Sequence, residues 1–274
     1  MSGAAGQLHG RVAQLDGLRA AAVLAVMLQH SGWTGGHGGL YGVDVFFVLS
    51  GFLITGVLLG EARSTGRISL RRFYARRWLR LFPALAVMVV VLTPIGPSLS
   101  AGQTWESWFG AAAAALTYTS NIVMLVTGEL SLGVLDPTWS LAVEEQFYLL
   151  WPLALMGLLA LRLRLRWTVA IVLGFAAAGL SLFFLAYEPA VGPGSGTAVL
   201  GPLFRPDSRF GELLLGCALA MVLAGRAGRA GPLGRTADRV LGAGVIVAIA
   251  GLWLAVELHR QAYAGDGSPL APIP

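Results

Sequence analysis

Residues 42–56 read GVDVFFVLSGFLITG, and the apolar run Val43–Leu59 that contains them carries one charge, Asp44. A helix needs about 20 mostly apolar residues, and no fewer than about 17, to cross the hydrocarbon of a bilayer. The stretch therefore reads as a membrane span. Working outward, the same pattern recurs at Gly17–Gly32, Leu79–Ile95, Trp108–Val126, Trp139–Leu161, Trp167–Tyr187, Phe210–Leu223 and Val240–Val256. Short Gly- and Pro-containing loops separate these segments. The expected architecture is all-α, a polytopic transmembrane helical bundle of about eight membrane segments.

Composition agrees. Hydrophobic residues make up 56% of the chain and charged residues 12%, against about a quarter charged in soluble domains. A water-soluble chain could not hide that much apolar surface in one core. All 19 basic residues are arginine, which with the abundance of Ala, Gly, Val and Leu points to a GC-rich bacterial genome. The arginines lie in short blocks between apolar segments, a distribution that reports topology rather than nucleic-acid binding. Neither a nucleic-acid partner nor a metal is expected. The single cysteine, Cys217, lies within an apolar segment, so no disulfide framework forms. The first apolar run begins too far into the chain for a cleaved signal peptide and reads as a retained span.

Arginine placement orients the bundle. Arg63, Arg67, Arg71, Arg72, Arg76, Arg77 and Arg80 follow the second span, which makes that loop and the amino terminus cytoplasmic. Arg162, Arg164 and Arg166, and then Arg226, Arg229, Arg235 and Arg239, mark two further cytoplasmic loops. Eight simple crossings would put both of these outside. The conflict disappears if Trp108–Val126 enters and leaves on one face, or if part of Thr127–Pro137 crosses irregularly. Irregular backbone at membrane depth survives only inside protein or along a water-filled cavity.

Ionisable groups within spans are costly and mark a function or an internal pair. Arg19 and His30 are eleven positions apart, almost three helical turns, so both lie on one face about 16 Å apart along the axis. Either they serve a site, or Arg19 snorkels and His30 packs. Asp44 falls near the depth of His30. It either orients that imidazole or sits at a helix N-terminus because of the dipole. Ser50 and Gly51 admit close helix approach, a local kink or ordinary small-residue packing. The run RRFYARRWLRLFP, residues 71–83, gathers guanidiniums suited to phosphate, or to anchoring alone. In TWSLAVEEQFYLLWP, residues 138–152, Ser140, Glu144 and Tyr148 share one face and Glu145 is turned away by about 100°. A buried carboxylate there serves as general acid or base, or as half of an ion pair with arginine. Arg209 and Glu212, at i and i+3, read as such a pair.

These motifs together resemble the acyltransferase 3 family of bacterial membrane acyltransferases. The resemblance rests on LDGLRAAAVLAVMLQH, GVDVFFVLSGFLI, RRFYARRWLRLFP, TWSLAVEEQFYLLWP and RFGELLLG, which occur in family order from Leu15 to about Gly216. It implies transfer of an acyl group, often acetyl, from cytoplasmic acyl-CoA to a hydroxyl on an extracytoplasmic glycan, lipid-linked sugar or small molecule. It also implies a helical bundle of about ten spans with a central cavity, in a bacterial cytoplasmic membrane and in contact with lipid. Arg19 and His30 match the family's arginine–histidine pair, and Arg77 and Arg80 its basic pair directed at the CoA phosphates, with Arg76 beside them. Trp139, Ser140 and Leu141 resemble its Trp-Ser-Leu motif. The whole chain, 1–274, is then a single acyltransferase 3 domain, lacking the last spans with which relatives continue. The expected chemistry has His30 as base, Asp44 or Glu144 orienting or charging it, and Tyr148 as a donor to the oxyanion. Two rivals stay open: a transporter or exporter with an intramembrane Arg/His/Glu relay, and an inactive truncated relative.

Overall fold

A computed structural model describes residues 13–30, 39–100, 102–127, 132–190 and 204–227. The candidate span Val240–Val256 and the arginines at 229, 235 and 239 lie outside the described residues. Among those described, every regular element is helical, as the apolar periodicity led us to expect. In chain order the helices are α1 (Ala13–His30), α2 (Gly39–Thr65), α3 (Leu70–Leu92), α4 (Trp105–Leu116), α5 (Ser120–Thr127), α6 (Thr138–Ala160), α7 (Leu165–Ala190) and α8 (Pro206–Ala227), with 3-10 turns at Gly96–Leu99 and Gly133–Leu135.

Three stretches are long and apolar enough to cross a membrane, Gly42–Thr65, Leu165–Phe183 and Pro206–Gly225. Helices α3 and α6 have 23 residues each, about 35 Å at 1.5 Å per residue. Helix α3 carries five arginines, and α6 the adjacent Glu144 and Glu145. Leu79, Val87, Val90, Val91, Leu149, Leu150, Leu153 and Phe175 are exposed on the outside of the bundle. An outer surface so apolar belongs in lipid, and the protein is a membrane protein.

The side-chain pairs fix the helix directions. From α2 to α8, Asp44 meets Arg209, the Gly51 carbonyl accepts from the Cys217 thiol, and Arg63 donates to the Ala224 carbonyl. Numbers rise together, so these helices are parallel. From α2 to α6, Phe47 meets Trp139, Ser50 meets Glu144 and Thr55 meets Trp151, again in parallel. Helix α3 runs against α6, since Arg77 reaches Glu145 while Tyr74 reaches the Leu149 carbonyl. Helix α7 runs against α8: Gly179 faces Asp207 and Gly211, whereas Leu165 faces Gly225. The ends of α2, α6 and α8 therefore lie at one face, which brings the arginines at 63–72 and 162–166 together. Leu92 and Thr138 lie at the opposite face, so the chain between them makes no net crossing. This resolves the conflict in the arginine pattern.

The intervening apolar run breaks for local reasons. Thr104 and Ser107 form a capping box at the start of α4. The helix then stops at Thr117. Tyr118 has φ +54°, and N–H groups of Tyr118 and Thr119 donate to the carbonyls of Ala115 and Ala114. That is a Schellman ending, with tyrosine where glycine is usual. The resulting pieces of 12 and 8 residues reach only about 18 and 12 Å, well short of a bilayer's hydrocarbon.

Helices α2 and α8 approach until their backbones touch. A Cβ on Gly51 would overlap the Leu213 carbonyl, and one on Gly216 would overlap the Val48 carbonyl and lie 2.7 Å from the Phe52 nitrogen. Close approach through small residues is the usual way for membrane helices to gain packing contacts without a hydrophobic driving force. Among the readings open for Gly51, close approach is the one observed.

Candidate active site

Glu144 lies on the inner face of α6. The Ser50 hydroxyl on α2 donates to its Oε1 at 2.9 Å, and the Tyr148 hydroxyl, one turn along α6, donates to its Oε2 at 3.2 Å. A cavity of about 250 Å³ opens beside this carboxyl, lined by α1 (Val23, Val26, Met27), α2 (Val43, Phe46, Phe47) and α6 (Ser140, Leu141, Glu144). On α1, Arg19, Val23, Val26 and His30 recur at spacings of four, three and four, which is one helical stripe. The positions of Arg19 and His30 thus continue the stripe whose middle lines the cavity. Arg19 is half-buried. His30 closes α1, and its side chain lies outside the described residues.

The neighbouring glutamate has a different partner. Glu145 Oε1 lies 3.1 Å from Arg77 Nη2, and the Arg77 guanidinium sits over the Tyr148 ring, 3.9 Å from its centroid. The two adjacent acids thus separate as their helical angles require, one into an ion pair and one onto the cavity. Of the other arginines on α3, Arg72 and Arg76 lie 3.7 and 3.8 Å from Glu61. Arg80 is exposed, with no ion-pair partner among the described residues.

Asp44 sits inside α2, in its second turn, rather than at the helix start. Its partner is Arg209, at 2.9 Å, and the same Nη1 reaches Glu212 Oε1 at 2.8 Å, the i, i+3 pair expected from sequence. Arg209 is 2% exposed and enclosed by the rings of Phe47, Trp139 and Phe183. Burying an arginine beside two carboxyls and three aromatic faces compensates much of its desolvation. Trp139, the first residue of the Trp-Ser-Leu motif, is a wall of this enclosure, while Ser140 and Leu141 turn to the cavity. Phe47 touches both places, so the Glu144 carboxyl and the Arg209 cluster share a wall.

Helix α6 also holds polar groups that sequence reasoning passed over. Gln146 donates to Asn121 Oδ1 at 2.9 Å and to the Tyr118 carbonyl at 3.0 Å, and Asn121 donates to the Phe204 carbonyl at 3.0 Å. Ser120 and Thr138 share a hydrogen bond of 2.8 Å. These contacts hold the broken α4–α5 segment against α6 and satisfy the backbone that the break releases. The only signal in sequence was the polar run TYTSN, residues 117–121, within an apolar segment.

The family's sequence profile, described as an acyltransferase domain, matches residues 12–268. The chain belongs to the acyltransferase 3 family. The chain is also similar to proteins with informative names. The peptidoglycan O-acetyltransferase OatA of Listeria monocytogenes is 37% identical over 217 residues, which cover 77% of this chain and 34% of OatA. YrhL of Bacillus subtilis, provisionally given the same activity, is 37% identical over 223 residues, 79% of this chain and 34% of YrhL. A Staphylococcus aureus protein provisionally named as an O-acetyltransferase is 36% identical over 214 residues, 76% of this chain and 34% of its own length. The chain thus spans about a third of the length of the curated relatives it matches. No solved structure matches it. Arg19, Ser50, Arg77, Glu144, Tyr148 and Arg209 all fall within the stretch that matches the family's profile.

Proposed function

We propose that the protein moves an acyl group, acetyl in the first instance, from cytoplasmic acyl-CoA to a hydroxyl of an extracytoplasmic glycan or lipid-linked sugar. The supporting observation is the Glu144 carboxyl, gripped by Ser50 and Tyr148 on the wall of a mostly apolar cavity that α1 completes with the stripe of Arg19 and His30. The arginine-rich face is the cytoplasmic one, which puts the amino terminus inside and the exposed Arg76 and Arg80 where CoA phosphates arrive. Arg19 lies between that face and the cavity. The names of the relatives support peptidoglycan as the acceptor class.

In this reading His30 takes the proton of the acceptor hydroxyl as its oxygen attacks the thioester carbonyl. The C–S bond breaks, and the proton passes to the departing CoA sulfur. Glu144 charges and orients the base, since Asp44 is engaged by Arg209. Tyr148 supplies a donor to the developing oxyanion, its one O–H turning from Glu144 to that oxygen as charge builds. Direct attack needs no acyl-enzyme, and the motifs offer no activated serine or cysteine.

The test is acetyl-CoA turnover by the full reading frame in membranes, with a glycan acceptor. His30→Ala and Glu144→Gln should each reduce CoA release by at least about 100-fold, the scale of a lost general acid–base group, at normal protein levels. Retained turnover in His30→Ala refutes the scheme. A wild-type protein that does not bind CoA brings the transporter relay to the front.

A further inference from the structure

Arg77 stands apart from the rest of its basic block. Arg71, Arg72, Arg76 and Arg80 are exposed. Arg77 points inward instead, and its side chain and that of Glu145 are 20% and 17% exposed. From α3 it grips two points of α6 three residues apart, the carboxylate of Glu145 and the face of the Tyr148 ring. The hydroxyl of that ring holds Glu144.

A guanidinium lying over a phenol ring restrains the ring's tilt, because the attraction depends on the face being presented. Restraining the ring fixes where its hydroxyl points, and hence which oxygen of Glu144 is occupied. A phosphate competing for Arg77 would have to break a part-buried ion pair and uncover the ring. Arg80 offers an exposed guanidinium with no such cost. We propose that Arg77 is a positioning residue, which clamps Tyr148 and through it orients Glu144, and that it does not hold the donor's phosphates. This rests on the acyl-transfer reading.

The two roles separate in steady-state transfer from acetyl-CoA by the full-length protein in membrane vesicles. For Arg77→Met, kcat should fall about 100-fold, the scale of a misplacement of ~1 Å at a reacting group. Its KM for acetyl-CoA should stay within about two-fold, because ground-state binding is untouched. Arg80→Ala should raise KM roughly tenfold, as loss of a charge-assisted contact does. Should Arg77→Met fail to accumulate, Arg77→Lys serves. It keeps a positive charge opposite Glu145 and removes the planar group over Tyr148, so kcat should again fall with KM held. A raised KM with kcat kept, or unchanged kinetics, in the variant that accumulates overturns the positioning role. Wild-type protein that turns over no acyl-CoA overturns the acyl-transfer reading and this inference together, so the two failures are distinguishable.

Discussion

Adding one methyl group to α8 at Gly216 should loosen the whole centre of the bundle. The new Cβ in Gly216→Ala would lie 2.7 Å from the Phe52 nitrogen and overlap the Val48 carbonyl, whereas ordinary contact begins at 3.4 Å. The backbones must therefore part by at least 0.7 Å, the difference between those distances. Both neighbours are main-chain atoms within a helix, so neither can rotate away. Overpacking of this kind costs about 1–3 kcal/mol. The shift also stretches the contacts that cross the same seam, among them Asp44–Arg209, now at 2.9 Å. Gly56→Ala and Gly174→Ala are the controls, because a Cβ at either position meets nothing within 4 Å. There the gain in helix propensity, up to about 1 kcal/mol, should leave stability equal or higher. Thermal unfolding in one detergent, read by loss of folded monomer, compares the three. A Gly216→Ala protein as stable as the controls would refute the claim that backbone contact sets the α2–α8 spacing.

Two further outcomes follow from the interior charges and from the helix directions. Arg209→Ala leaves the buried Glu212 and the half-buried Asp44 without a cation and should destabilise the fold by about 3 kcal/mol, the lower end for a broken buried pair; adding Asp44→Asn and Glu212→Gln should recover much of that loss, and a triple variant no more stable than the single one would contradict the pairing. For topology, Cys217→Ala removes the only cysteine, after which cysteines placed singly at Arg67 and Arg164 should react with an impermeant maleimide from the same side, and one at Ser98 from the other. Labelling of Arg67→Cys and Arg164→Cys from opposite sides would overturn the parallel arrangement of α2 and α6.

What could be read in sequence was what local periodicity encodes. The apolar runs gave α2, α3, α6, α7 and α8, and the 3.6-residue repeat placed Glu144 and Tyr148 together with Glu145 turned away. The arginine pattern announced that simple alternation fails between Trp108 and Pro137, although not how. Partners across the fold were not legible. Asp44 presents the same sequence whether it faces His30 or Arg209, and Gly51 becomes a contact only because Gly216 arrives opposite it. Asn121 and Gln146 escaped notice because a neutral amide carries no charge to stand out in an apolar run. Its cost appears only when the surrounding backbone is known to be broken.

The broken α4–α5 segment also bears on the order in which the protein is made. Its polar groups at Tyr118 and Asn121 depend on Gln146, 28 and 25 residues later, and Asn121 also depends on Phe204, 83 residues later. When this segment leaves the ribosome its partners have not been synthesised. It is apolar enough to be drawn toward lipid, yet its exposed backbone groups at the break would be costly there. Its settled position therefore follows the arrival of α6 and is completed only with the approach to α8. A chain stopped between α5 and α6 holds this segment without the contacts that define it, and exposes it to whatever insertion or quality-control machinery meets the nascent protein.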